Sequence, residues 1–122
     1  MIMRMRFDAP LAGLLALFLA SIPAHACSCR PMSQKQAIAA SDVVFQGRVL
    51  SVYRDGNRLF ATLSVMRPVK GKLRTQVEVG TNASSAACGY NFRKGQVVMV
   101  GAHFSQNQYS TQACLMLSLN RK

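Results

Sequence analysis

The chain has 122 residues, a formal net charge of +11, half of its residues hydrophobic and four cysteines. That length leaves room for one small domain and excludes a multidomain assembly within these residues. So positive a balance favours acidic partners: polyanionic glycans, anionic membrane surfaces, nucleic acid or an acidic protein.

Residues 1–26 read as a cleaved signal peptide and stand apart from the fold. Arg4 and Arg6 form a positive start, residues 11–20 are an apolar stretch, and Ala24-His25-Ala26 ends it with a small-residue cleavage site. The apolar stretch is shorter than the roughly 20 residues a membrane-spanning helix needs, so no transmembrane helix is expected after processing. Export to the periplasm or the exterior follows. The competing reading is a lipoprotein acylated at Cys27, but such sites prefer Leu where Ala24 stands. Removing Arg4, Arg6 and Asp8 takes the net charge from +11 to about +10 for a mature domain spanning residues 27–122. The basic residues are scattered (Arg48, Arg54, Arg58, Arg67, Lys70, Lys72, Arg74, Arg93, Lys94) and carry no nucleic-acid-binding signature. A nucleic-acid partner is not expected of an exported chain.

The mature chain opens on Cys27-Ser28-Cys29. A cysteine freed at a new terminus presents a free amine beside a backbone carbonyl, a compact metal chelator whose side chain can anchor it to the fold. Four cysteines in a short exported chain read as a disulfide framework with three possible connectivities. A Cys27–Cys29 bridge would close a strained ring, so each should pair with one of the distant Cys88 and Cys114. Redox chemistry at the C-x-C pair and a zinc site completed by His103 are weaker readings, because the spacing lacks the close ligand pairs of structural zinc sites.

Residues 31–41 suit a short helix. The pattern then turns to β, with a strand over residues 43–54 and a turn at Asp55-Gly56-Asn57. A second strand over 59–66 alternates apolar and mixed positions, Pro68 and Gly71 interrupt the chain, and a third follows at 75–79. Residues 81–87 are small and loop-like, and they contain a glycosylation acceptor at Asn82-Ala83-Ser84 if the source glycosylates. Residues 96–104 form a fourth, nearly continuous apolar strand, with His103 packed or half-buried within it, and 109–117 a fifth. Five strands at these spacings predict a small all-β barrel or sandwich. Lys70 and Lys72, flanking Gly71, read as a solvated turn.

The ordered set of Cys27-Ser28-Cys29-Arg30-Pro31, the stretch 41–49, Val69-Lys70-Gly71, Ala87-Cys88-Gly89-Tyr90 and Thr111-Gln112-Ala113-Cys114 resembles the inhibitory domain of the tissue inhibitors of metalloproteinases. The resemblance spans residues 27–119. It implies a five-stranded OB-type, netrin-like barrel with a short helix near the N-terminus, stapled by Cys27–Cys88 and Cys29–Cys114. It also implies that the Cys27 amine and carbonyl chelate the catalytic zinc of a partner metalloprotease. Ser28 would enter the adjoining specificity pocket, and Ala86, Ala87, Cys88 and Gly89, next to Cys29 and its neighbours, would line the cleft. No cofactor of its own is implied. Animal members carry a third bridge in this domain and a second, cysteine-rich domain, neither matched in these residues.

Glu78, Asp42 and Asp55 make no acid/base pair, and no nucleophile triad or nucleotide loop is present, so an enzyme is not expected. The alternative is a non-inhibitory netrin-like module that uses its basic surface to bind polyanions or a protein partner.

Overall fold

The computed structural model describes residues 27–121. Its order is helix α1 (Gln34–Ala40), strands β1 (Val43–Asp55), β2 (Arg58–Lys70) and β3 (Gln76–Asn82), a 3₁₀ turn at Ser85–Ala87, strands β4 (Val97–Ser105) and β5 (Gln108–Ser110), and helix α2 (Ala113–Leu119). The five strands close into a barrel in the order β1-β2-β3-β5-β4, which is the OB-type arrangement expected.

Closure depends on β1, which pairs with β2 along its length and with β4 over Val43 to Arg48. Register shifts at Val44/Phe45, Gln46/Gly47 and Val49/Ser51 bend the β1–β2 ribbon so that one strand serves both neighbours. Pro68 sits opposite Phe45 at one of these shifts. The sequence suggested an interruption there; instead β2 runs through it to Lys70, because a bulge tolerates a residue without an N–H. A short parallel pairing of Val79 with Tyr109 and Gly80 with Ser110 seals the barrel.

Phe45, Val49, Leu63, Val79, Val100 and Met116 fill the core, with Phe45, Leu63, Val79, Val100 and Met116 fully buried. Val44 points the other way, into a second apolar cluster with Ala37, Leu115 and Leu119. Both faces of β1 are therefore covered at its start, which explains the unbroken apolar run Val43-Val44-Phe45.

The fifth strand differs from expectation. Only Gln108–Ser110 is strand, and the rest of 109–117 turns into α2. Buried Leu115, Met116 and Leu119 recur at helical spacing and face the barrel wall. Gly101 allows this approach: a Cβ there would come within 2.6 Å of Leu119 and 2.5 Å of the Ser41 hydroxyl. Asn120 fastens the end of α2, accepting from Met99 N at 2.9 Å and donating to Met99 O at 2.8 Å.

Of the packed and half-buried positions expected of His103, the packed one is not taken. Its side chain is 48% exposed, with Nδ1 4.0 Å from the Asp42 carboxylate. Asp42 in turn accepts from Phe104 N at 2.8 Å, fixing the start of β1 to β4.

Helix α1 begins with a capping box between Ser33 and Gln36 and ends on Lys70. The Lys70 ammonium donates to the carbonyls of Ile38 (3.0 Å), Ala39 (3.3 Å) and Ser41 (2.6 Å). A cation on the last carbonyls of a helix satisfies orphan acceptors and meets the negative end of its dipole. Lys70 is thus a structural clamp, not part of a solvated turn. Lys70→Met should cost about 1–2 kcal/mol, seen as a fall of roughly 5–15 °C in the thermal midpoint. A melt unchanged by the substitution would refute the clamp.

Candidate functional site

The N-terminal segment and the loop after β3 meet at one end of the barrel. Cys27 bridges Cys88 with Cα atoms 5.1 Å apart, and Cys29 bridges Cys114 at 5.3 Å. The pairing implied by the resemblance is the one present. The bridges lie side by side, with Cys27 Sγ 3.9 Å from Cys114 Sγ. Cys27, Cys88 and Cys114 place their sulfurs within 4.8 Å of one another. All four cysteines are paired in disulfides, so none presents a free thiolate to a metal.

Between the bridges Ser28 is exposed, as are Cys29 and Arg30, while Cys27 is half-buried. Across the Cys27–Cys88 bridge lie Ser84, Ala86 and Ala87, all exposed. The bridge therefore sets Cys27, Ser28 and Cys29 beside Ala86, Ala87 and Cys88 as a single ridge. Gly89 belongs to the same segment but is buried beneath it.

Several residues that the sequence did not assign to the site hold this ridge. Ser84 accepts from Ala86 N through its hydroxyl (3.2 Å), starting the 3₁₀ turn, and from Gly89 N through its carbonyl (3.0 Å). The Asn82 side chain accepts from Ser84 N at 2.9 Å, so the Asn82-Ala83-Ser84 tripeptide is folded into a local turn. Fully buried Thr81 accepts from Tyr90 N at 3.0 Å. A Ser or Thr that closes a turn is a recognisable signal; one that braces a residue nine positions away is not.

Cys88 adopts a left-handed conformation, φ 66°, at the end of the 3₁₀ turn. A non-glycine residue held there costs roughly 1–2 kcal/mol and persists only where its surroundings impose it. Here the bridge to Cys27 and a bond from Ala113 N to Cys88 O (2.8 Å) impose it. Strand β3, helix α2 and the N-terminal segment thus converge on Cys88.

The fold and its bridges define a small disulfide-stapled OB-type barrel that displays its N-terminal Cys-Ser-Cys segment on one end. No family model matches the chain. Metalloproteinase inhibitor 2 of Canis lupus familiaris is 31% identical over 93 residues, covering 68% of this chain and 42% of that protein. The chain is thus distantly similar to that inhibitor, and it spans less than half of that protein's length. Two disulfides fit an oxidising compartment outside the cell. Among the described residues no helix is long and apolar enough to cross a membrane. The expected signal peptide, residues 1–26, lies outside the described residues.

A Cβ at Gly89 would run into the Asn82 carbonyl, a main-chain group that cannot swing aside. Gly89→Ala should therefore lower stability by at least about 2 kcal/mol and loosen the ridge. Thermal melting and amide exchange at residues 84–90 check this; an unperturbed melt and unchanged exchange would show that the segment has room to move.

Proposed function

We propose that the chain is an exported inhibitor of zinc metalloproteases, acting through a terminus at Cys27 and without enzymatic activity of its own. The observation that carries this reading is the position of Cys27-Ser28-Cys29: bridged at both cysteines, exposed at Ser28, and flanked by the exposed Ala86 and Ala87. The distant relationship to an inhibitor of metalloproteinases supports the same class of partner.

Cleavage after Ala26 gives Cys27 a free amine. Its nitrogen and the Cys27 carbonyl oxygen would form a five-membered chelate on a catalytic zinc, taking the position such zincs keep for water. The bridge to Cys88 holds both atoms to the barrel, so little freedom is lost on binding. Ser28 follows the chelate into the neighbouring pocket; it is small and uncharged, so its desolvation cost is low. Ala86, Ala87 and the Cys88 backbone would lie along the adjoining cleft, with Gly89 supporting them from beneath.

Two outcomes are expected. Adding a single Ala before Cys27 turns the amine into an amide and should weaken inhibition of a responsive zinc endopeptidase by at least about 100-fold. The inhibition constant of the native-terminus protein should also worsen as pH falls below the amine's ordinary range of about 7.7–8.0, approaching tenfold per pH unit. The sign follows from the chelate: only the neutral amine donates, so protons compete with zinc. Equal inhibition with and without the extra Ala, or none by the native terminus across a panel of zinc endopeptidases, would sink the reading.

A further inference from the structure

Strand β3 has a neighbour on both edges only in its second half. On one side it lies against β2 from Gln76 to Asn82. On the other, its ladder to β5 consists of Val79 with Tyr109 and Gly80 with Ser110. Which main-chain groups this leaves open follows from the alternation of an antiparallel ladder. Val65 N donates to Thr75 O at 2.8 Å, so Thr75, Val77 and Val79 turn their N–H and C=O groups toward β2. Gln76, Glu78 and Gly80 turn theirs the opposite way, and Gly80 O accepts from Thr111 N at 2.9 Å on that side. The N–H and C=O of Gln76 and the N–H of Glu78 therefore face an edge where β3 has no strand neighbour among the described residues.

That edge opens into a groove of about 590 Å³, within the usual range of ligand sites. Gln76 and Glu78 lie along one wall, Phe104 and Asn107 of the β4–β5 hairpin along the other, and Lys72 and Arg74 border it. An open strand edge is a template for another strand, so the first demand on an occupant is an extended backbone. Its side chains are then set by what borders the groove. Lys72 and Arg74 match carboxylates, and an arginine takes one bidentately. Phe104, 49% exposed, offers its ring to an apolar side chain. Side chains of an added strand alternate between two faces, so a segment that alternates acidic and apolar residues presents a row of each. A second copy of this chain, paired edge to edge, would set the same two cations against each other.

We propose that the open edge of β3 binds an extended acidic peptide as an added strand, through main-chain hydrogen bonds to Gln76 and Glu78. The main-chain edge selects the ligand; the basic residues spread over the rest of the molecule do not. The Cys27 terminus and its bridges take no part, so this site stands or falls apart from the inhibitory reading.

The test is calorimetric titration of the disulfide-intact protein with a capped heptapeptide of alternating valine and glutamate. Three further peptides accompany it: one N-methylated at every valine, one N-methylated at every glutamate, and one with glycine in place of each valine. The parent should bind. One of the two N-methylated peptides, which keep its charge and side chains, should bind at least about tenfold more weakly and the other nearly as well, because a strand pairs along one edge only. The glycine peptide, equal in charge, should also lose at least about tenfold. Gln76→Pro deletes the N–H that faces the groove and leaves the bond from Val65 N to Thr75 O in place, at an edge position where proline is tolerated. It should weaken the parent peptide at least about tenfold with the thermal melt retained, while Gln76→Ala, whose main chain is intact, should bind within about twofold. If Gln76→Pro disturbs the melt, the N-methylated pair decides. No binding of the parent would mean that Lys72 and Arg74 merely guard the edge. Equal binding of both N-methylated peptides, or of the glycine peptide, would overturn the proposal in favour of a diffuse basic surface. A dimer in sedimentation equilibrium that Gln76→Pro dissolves would overturn it in favour of a second copy.

Discussion

The bridge between Cys27 and Cys88 is the constraint on which the functional end of the molecule depends. It joins the first residue of the expected mature chain to a residue held left-handed between β3 and α2. Without it, the segment before α1 would have one covalent anchor, at Cys29, and Cys88 would lose a tie that sustains its unfavourable backbone. The bridge thus sets a chain end and a loop against each other in one geometry.

The two bridges are not independent sources of stability. They close sequence separations of 61 and 85 residues, each worth about 4 kcal/mol when formed alone in the chain-entropy model. Their N-terminal ends are only two residues apart. Once Cys29–Cys114 is closed, Cys27–Cys88 completes a loop of roughly 28 residues through it, so the second contributes about 3.5 kcal/mol. The difference is small, and the role of the Cys27 bridge is mainly positional. Bulk stability rests as much on the core around Phe45 and on the outer cluster, where α1 and α2 share Val44 as a floor. Lys70 links that cluster to the barrel by drawing the end of α1 onto the end of β2.

Much of this was legible in the sequence because it depends on local pattern. The first four strands follow from apolar runs and alternation, and the first hairpin from Asp55-Gly56-Asn57. The bridge pairing came through the ordered resemblance, since spacing left three connectivities open. What escaped was decided at long range. The stretch 109–117 is too short for periodicity to separate strand from helix, and only the cover it provides for Val44 and Gly101 makes it helical. Lys70 caps a helix that ended 30 residues earlier, and Thr81 braces Tyr90 from within the core. The apolar strand around His103 left packed and half-buried positions both open, and its place on β4 turns it outward beside Asp42.

The net charge of the barrel conceals how unevenly its surface chemistry is divided. A strong positive field speeds the approach of any anionic partner without choosing where it lands. Only three acidic residues, Asp42, Asp55 and Glu78, follow position 26, so little opposes that field. Partial desolvation and the adjacent Glu78 hold the Tyr53 phenol above its ordinary range, which keeps it a donor. Selection must therefore come from short-range contacts. On the ridge, Ser28, Ala86 and Ala87 carry no charge. On the proposed reading, a neutral tip would enter a narrow cleft without stripping water from an ion, which would leave the energy of binding to the metal and the backbone. The basic surface would then serve the approach to an acidic environment, and the uncharged ridge the contact itself.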